Sequence, residues 1–114
     1  MIDFFKRLFH LGDYQVFGGV ARSPLWPHVR RQHLKRFPTC AVTGVTNDLE
    51  VHHVKPYNLH PDLELDPKNL ITLTTKFGSL NAHLWFGHLG LFTSYNETVR
   101  EDAAAWNKKI TERP

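Results

Sequence analysis

Five residues of this chain have the types and spacing to hold a cation and move a proton: His52, His53, Asn69, His83 and His88. Neutral imidazole is the commonest metal ligand in proteins and the commonest general base near neutral pH. An amide side chain can orient either one. The chain has 8 histidines in 114 residues. Five of them, His52, His53, His60, His83 and His88, fall between 52 and 88. A single histidine is more often a satisfied core or surface residue, and His10, His28 and His33 are read that way. His60, followed by Pro61 in a loop, reads as structural rather than as a ligand. A pair from one segment and a pair from a following one can converge on a single cation.

That convergence makes two demands on the elements. In a regular strand His52 and His53 point to opposite faces. Both serve one site only if the strand ends or bulges there, or if the site wraps around the strand's edge. His83 and His88 are five apart, about 140° around an unbroken α-helix. They share a face only if the helix breaks, and Gly87 in a left-handed conformation would break it.

The elements follow from periodicity and punctuation. Residues 1–11 read as an amphipathic helix, and Gly12, Gly18 and Gly19 mark a loop. Ser23-Pro24 predicts a helix start, with Ser23 as N-cap and Pro24 at the first position. Leu25, Trp26, Val29, His33, Leu34 and Phe37 recur at helical spacing as its buried face, and Pro38 stops it. Leu49–Val54 and Asn69–Thr74 read as strands. The segment between them carries Pro56, Pro61 and Pro67 and is too long for a tight turn; loops of that length are usually functional. Ser79 to Phe86 reads as a short helix capped by Ser79. Ser94 or Asn96 caps a last helix, with Ser94-x-x-Glu97 as a capping box and Val99, Ala103, Trp106 and Ile110 as the buried stripe. The fold class is α+β. A two-strand hairpin is too small to stand alone and needs helices or a metal to hold it.

The length suits one domain, expected as N-terminal helices over 1–38, a core over 39–90 and a C-terminal helix over 91–114. The net charge is +3, but residues 1–40 are basic and the remainder slightly acidic. Arg30, Arg31, Lys35 and Arg36 cluster on one predicted helix. Such a cluster can neutralise phosphates, or can be a solvated helix face. The single cysteine, Cys40, excludes an intramolecular disulfide and fits a reducing, cytoplasmic setting. No stretch approaches the roughly 18 apolar residues of a membrane span.

The joint pattern carries a resemblance. Leu49-Glu50-Val51-His52-His53-Val54-Lys55-Pro56, then Asp66-Pro67-Lys68-Asn69-Leu70-Ile71-Thr72-Leu73, then His83-Leu84-Trp85-Phe86-Gly87-His88 closely resembles the HNH endonucleases, with their ββα-metal fold. The likeness is strongest to small phage and bacterial members and covers roughly Cys40 to Gly90. The lead-in Ala21-Arg22-Ser23-Pro24-Leu25-Trp26 and the tail Tyr95-Asn96 also look similar.

The resemblance implies roles by position. His53 would be the general base, and Asn69 would fix the loop and hold His53. His52, His83 and His88 would ligate one divalent metal. Imidazole donors favour Zn, Ni or Mn over Mg. The substrate would be DNA, double-stranded, with Arg30, Arg31, Lys35 and Arg36 on its phosphates. A second copy of the chain, or a phage or defence protein, is the candidate protein partner. Many relatives bind a second, structural zinc through cysteine pairs. Here only Cys40 is present and Ala82 stands before His83, so no structural zinc is expected. Two other readings use the same residues: a non-catalytic zinc-stabilised nucleic-acid-binding or phage adaptor module, and a histidine cluster that only packs.

Overall fold

The computed structural model describes residues 16–17 and 20–114, with side chains from Arg22 onward. The helix expected over 1–11, Gly12 and the Gly18-Gly19 pair lie outside the described residues. The elements run β1 (Val16–Phe17), β2 (Val20–Ala21), α1 (Trp26–Arg36), β3 (Leu49–His53), β4 (Leu70–Thr74), a π-helical turn (His83–Gly87) and α2 (Val99–Thr111). This is a small α+β fold built on two antiparallel pairs, β1 with β2 and β3 with β4. Among the described residues no helix is long and apolar enough to cross a membrane.

β3 and β4 pair from Leu49↔Thr74 to His53↔Leu70 without a bulge. One face of the pair, including Ile71 and Leu73, meets Ala82, Val99 and Ala103, and Cys40 and Val42 close this core. Trp26, at the start of α1, meets His53 on the other face. The Cys40 sulfur accepts from the Thr43 amide at 3.5 Å. Cys40 and Ala82 thus fill space in the core.

The edge of β4 is covered. Arg100 of α2 donates through Nη2 to the Leu70 carbonyl at 2.9 Å and to the Lys68 carbonyl. The Ala41 amide takes the Thr72 carbonyl at 2.9 Å.

Several boundaries differ from the sequence expectation. Ser23 does not cap α1, which begins at Trp26 after Leu25, and Pro24 lies outside the helix. The Ser23 hydroxyl accepts from the Leu25 amide instead, at 3.1 Å. Pro27 has no N–H to reach the Ser23 carbonyl, so the Trp26 amide takes it at 3.1 Å and the regular helix starts later. The predicted apolar face of α1 is only partly covered. His33 is buried, but Leu25 and Phe37 are exposed. A groove of about 940 Å³ separates α1 from α2. In α2 Val99 and Ala103 are buried as expected, whereas Trp106 is exposed. Its ring lies edge-on to Phe86 at 6.0 Å.

Ser79 caps nothing. Phe77 and Leu80 form a bridge around Gly78, whose φ of 62° suits a residue without a side chain. The capping box at Ser94 and Glu97 does not form, because α2 begins only at Val99. Asn96 organises that start through Oδ1, which accepts from the Thr98 amide at 3.0 Å.

Candidate metal centre

The long loop between β3 and β4 is drawn in by Asn69. Its Oδ1 accepts from the Lys55 amide at 2.9 Å. Its Nδ2 donates to the carbonyls of Lys55 at 3.0 Å and Leu63 at 3.2 Å. One side chain therefore ties the start and the middle of the loop to the foot of β4. Two short 3₁₀ turns, Pro61–Leu63 and Pro67–Asn69, fold the loop between these ties.

The loop sets the state of His53. The His53 Nε2–H donates to the Glu64 main-chain carbonyl at 2.8 Å. A neutral ring then carries its lone pair on Nδ1. The ring also lies 4.5 Å from Trp26 and 6.0 Å from Tyr57. Burial, above all, pushes its pKa down to about 4, and the Arg22 guanidinium adds to the effect. Glu64 has a second role through its carboxylate. Oε2 accepts from Arg22 Nε at 2.8 Å, and the same carboxylate accepts from the Ser23 amide. Arg22 lies over the rings of Trp26 at 4.5 Å and Tyr57 at 4.2 Å.

His52 points to the other face of β3, toward the π-helical turn. There its Nδ1 lies 3.0 Å from Nε2 of His83, and that same atom lies 3.2 Å from Nε2 of His88. His52, His83 and His88 together offer three donor atoms within 4.8 Å of one another, close enough to hold a metal ion. A tetrahedral ion with bonds of 2.0–2.1 Å to nitrogen separates its ligand atoms by about 3.3 Å. The two short separations are close to that value.

The π turn brings His83 and His88 together. Its hydrogen bonds link residues five apart, so positions five apart lie nearer one face than they would on an α-helix. Gly87 contributes differently from the expectation. It is not left-handed; the positive φ angles fall at Leu89 (56°) and Gly90 (84°). Gly87 is instead a cradle. A Cβ there would lie 2.9 Å from Cε1 and 3.0 Å from both nitrogens of the His52 ring.

Protons alone do not satisfy the three nitrogens. The His88 Nδ1–H donates to the Ser94 carbonyl at 2.8 Å, which leaves Nε2 bare in the neutral ring. A single proton on His83 Nε2 either bonds one of His52 and His88 or is shared weakly between them. Glu50 stands 3.8 Å from His83 Nδ1 and favours the tautomer in which Nε2 is also bare. Outer partners that turn ring nitrogens inward are the usual support of metal-binding histidines. Burial lowers the His52 pKa to about 2, helped by the neighbouring His83, His88 and His53 rings. Burial and then His88 lower that of His83 to about 4. Both rings stay neutral at pH 7, the form that binds a cation.

The structure thus brings together His52, His83 and His88, and sets His53 and Asn69 on the loop side of the strand. Arg31, Lys35 and Arg36 are exposed on α1 and Arg30 is half-buried. Arg36 lies on the groove side with Lys68 and Arg100. Glu64, Arg22 and Tyr57 were not expected around His53. One signal for Glu64 was available: a carboxylate flanked by Leu63 and Leu65 needs a partner when the segment is buried. No protein-family model, no curated protein and no solved structure matches this chain.

Proposed function

We propose that this protein is a divalent-metal-dependent endonuclease with a ββα-metal core, hydrolysing DNA phosphodiester bonds. The observation that carries the reading is the convergence of three imidazole nitrogens close enough to hold one metal ion. Three protein donors leave a tetrahedral ion one open position, the arrangement of a catalytic rather than a closed structural site. A bound cation would supply Lewis acidity to a phosphate oxygen and offset the charge that develops there.

The chain's own residues supply the rest. His53 accepts a proton from the attacking water at Nδ1, the atom left free when Nε2–H is bound to Glu64. Its low pKa keeps it neutral, and an incoming phosphate's negative charge draws that pKa back upward. His52 and His53 face opposite ways near the C-terminal end of β3, and in this reading the substrate phosphate bridges the two faces around that end. Asn69 is a positioning residue, acting through the loop that carries Glu64. Arg30, Arg31, Lys35 and Arg36 hold backbone phosphates, contacts that position DNA without reading its sequence.

The test is nicking of supercoiled plasmid by the full chain with added Zn, Ni, Mn or Mg. Nicked circles are expected with metal and none with EDTA. His53→Ala should lower the rate about 10²–10⁴-fold, the usual contribution of a general base. Unchanged cleavage by His53→Ala would eliminate the base, and cleavage in EDTA would eliminate the metal.

A further inference from the structure

The segment that follows the π turn is unlike the rest of the surface. Residues 77–96 contain no Asp, Glu, Lys or Arg. Yet Leu89, Leu91 and Phe92 stand 56%, 62% and 60% exposed. Phe92 also borders the histidine trio. The Phe92 ring lies 5.9 Å from His83 and 5.0 Å from His88. Of the three, Phe92 is the side chain in ring contact with the trio.

This exposure is held in place. The Gly90 amide donates to the Leu84 carbonyl at 2.9 Å, and the Ser94 amide to the Leu91 carbonyl at 2.8 Å. Asn96 holds the far end, its amide donating to the Gly87 carbonyl at 2.9 Å and its Nδ2 to the Phe86 carbonyl at 2.9 Å. Gly90 lies under the Trp85 ring, which an added Cβ would meet at 2.6 Å. Leu89 takes a left-handed backbone, φ 56°, that a leucine adopts only at a cost. The loop's backbone is therefore held in place beneath its exposed apolar side chains.

We infer that Leu89, Leu91 and Phe92 form a nucleobase-contacting rim, on which an unstacked base beside the scissile phosphate packs against the Phe92 ring. The inference rests on the nuclease reading. A rim without charge makes no ion pair with phosphate, so the part of the substrate it suits is the base or the sugar. In an intact duplex the faces of the bases are covered by their neighbours. Only an unpaired base, or a step opened by an apolar wedge, offers its π-face. The favoured substrate is then single-stranded or locally opened DNA rather than undisturbed duplex.

The experiment uses the full metal-loaded chain and labelled single-stranded oligonucleotides, either intact or with one abasic site scanned along them. Binding is read by fluorescence anisotropy and cleavage on gels, for the parent, Phe92→Ala and Phe92→Trp. Loss of one stacked base should weaken parent binding roughly five- to hundred-fold at one abasic position. Phe92→Ala should weaken binding to the intact strand by a similar factor and lose nothing further at that abasic position, because the two changes remove the same contact. Phe92→Trp should keep the parent's behaviour. Additive losses, or no loss in Phe92→Ala, overturn the rim. Base-dependent binding without cleavage leaves the rim standing and removes the nuclease reading. Absence of DNA binding by the parent removes both and reassigns the exposed rim to a protein partner.

Discussion

Nε2 of His83 sits between two other ring nitrogens, and Gly87 decides whether that arrangement exists. The His52 ring rests where a side chain at 87 would stand. Gly87→Ala should therefore push the His52 ring out of line rather than simply tighten the turn. Overpacking of this kind costs about 1–3 kcal/mol in a close-packed site. Losing the alignment of one ligand should weaken metal binding about 10–100-fold, the range seen when ligand orientation is disturbed. Competition against a chelator measures the second effect and thermal melting the first. Parent-like metal affinity in Gly87→Ala would remove the cradle role. The three histidines that the structure brings together, His52, His83 and His88, were legible in the sequence because five of the chain's eight histidines fall between 52 and 88. Gly87's actual role was not legible, since a glycine after a helix signals a left-handed end far more often than a seat for a ring 35 positions earlier. The flanking Leu63 and Leu65 signalled that Glu64 needs a partner, but not which one: its pairing with Arg22 spans 42 residues.

At the scale of elements, buried neutral rings make the hairpin and the π turn sensitive to acid. Unfolded histidines take up protons near pH 6.5. In the folded chain His53 and His83 refuse them until about 4 and His52 until about 2. The stability these groups allow is complete above pH 6.5 and falls as pH is lowered toward 4. With three such groups the slope approaches about 4 kcal/mol per pH unit at its limit, within a window where the unfolded chain binds more protons. Urea midpoints of the metal-free chain at pH 7, 6 and 5 should fall steeply, and a constant midpoint would contradict neutral burial. β3 and β4 were legible to within a residue, because Val51, Leu70, Ile71 and Leu73 mark a strongly apolar pair of segments and prolines fill the loop between; the two-residue strands β1 and β2 were not, since the glycines around them read as a loop. The third segment was not. Ser79 has the form of a helix cap, but Gly78 and the Phe77↔Leu80 bridge use it in a tight turn, and the helix signal belongs to a π turn four residues on. Hydrophobic periodicity tuned to 3.6 residues does not distinguish that turn from an α-helix.

Over the whole molecule the two kinds of surface divide. Basic side chains line α1, while the segment past the trio carries no charge. The groove between α1 and α2 leaves β4 at the margin of its sheet, and Arg100 stands there with its guanidinium on the Leu70 and Lys68 carbonyls. Free strand edges are templates on which other chains add themselves. Arg100 occupies the acceptors such an addition would need and sets a positive charge at the place of approach. Removing it should change the company the protein keeps more than its fold. Arg100→Ala is expected to melt within a few degrees of the parent yet to self-associate at concentrations where the parent stays monodisperse by light scattering. Equal scattering for the two proteins would mean that Arg100 does not guard this edge.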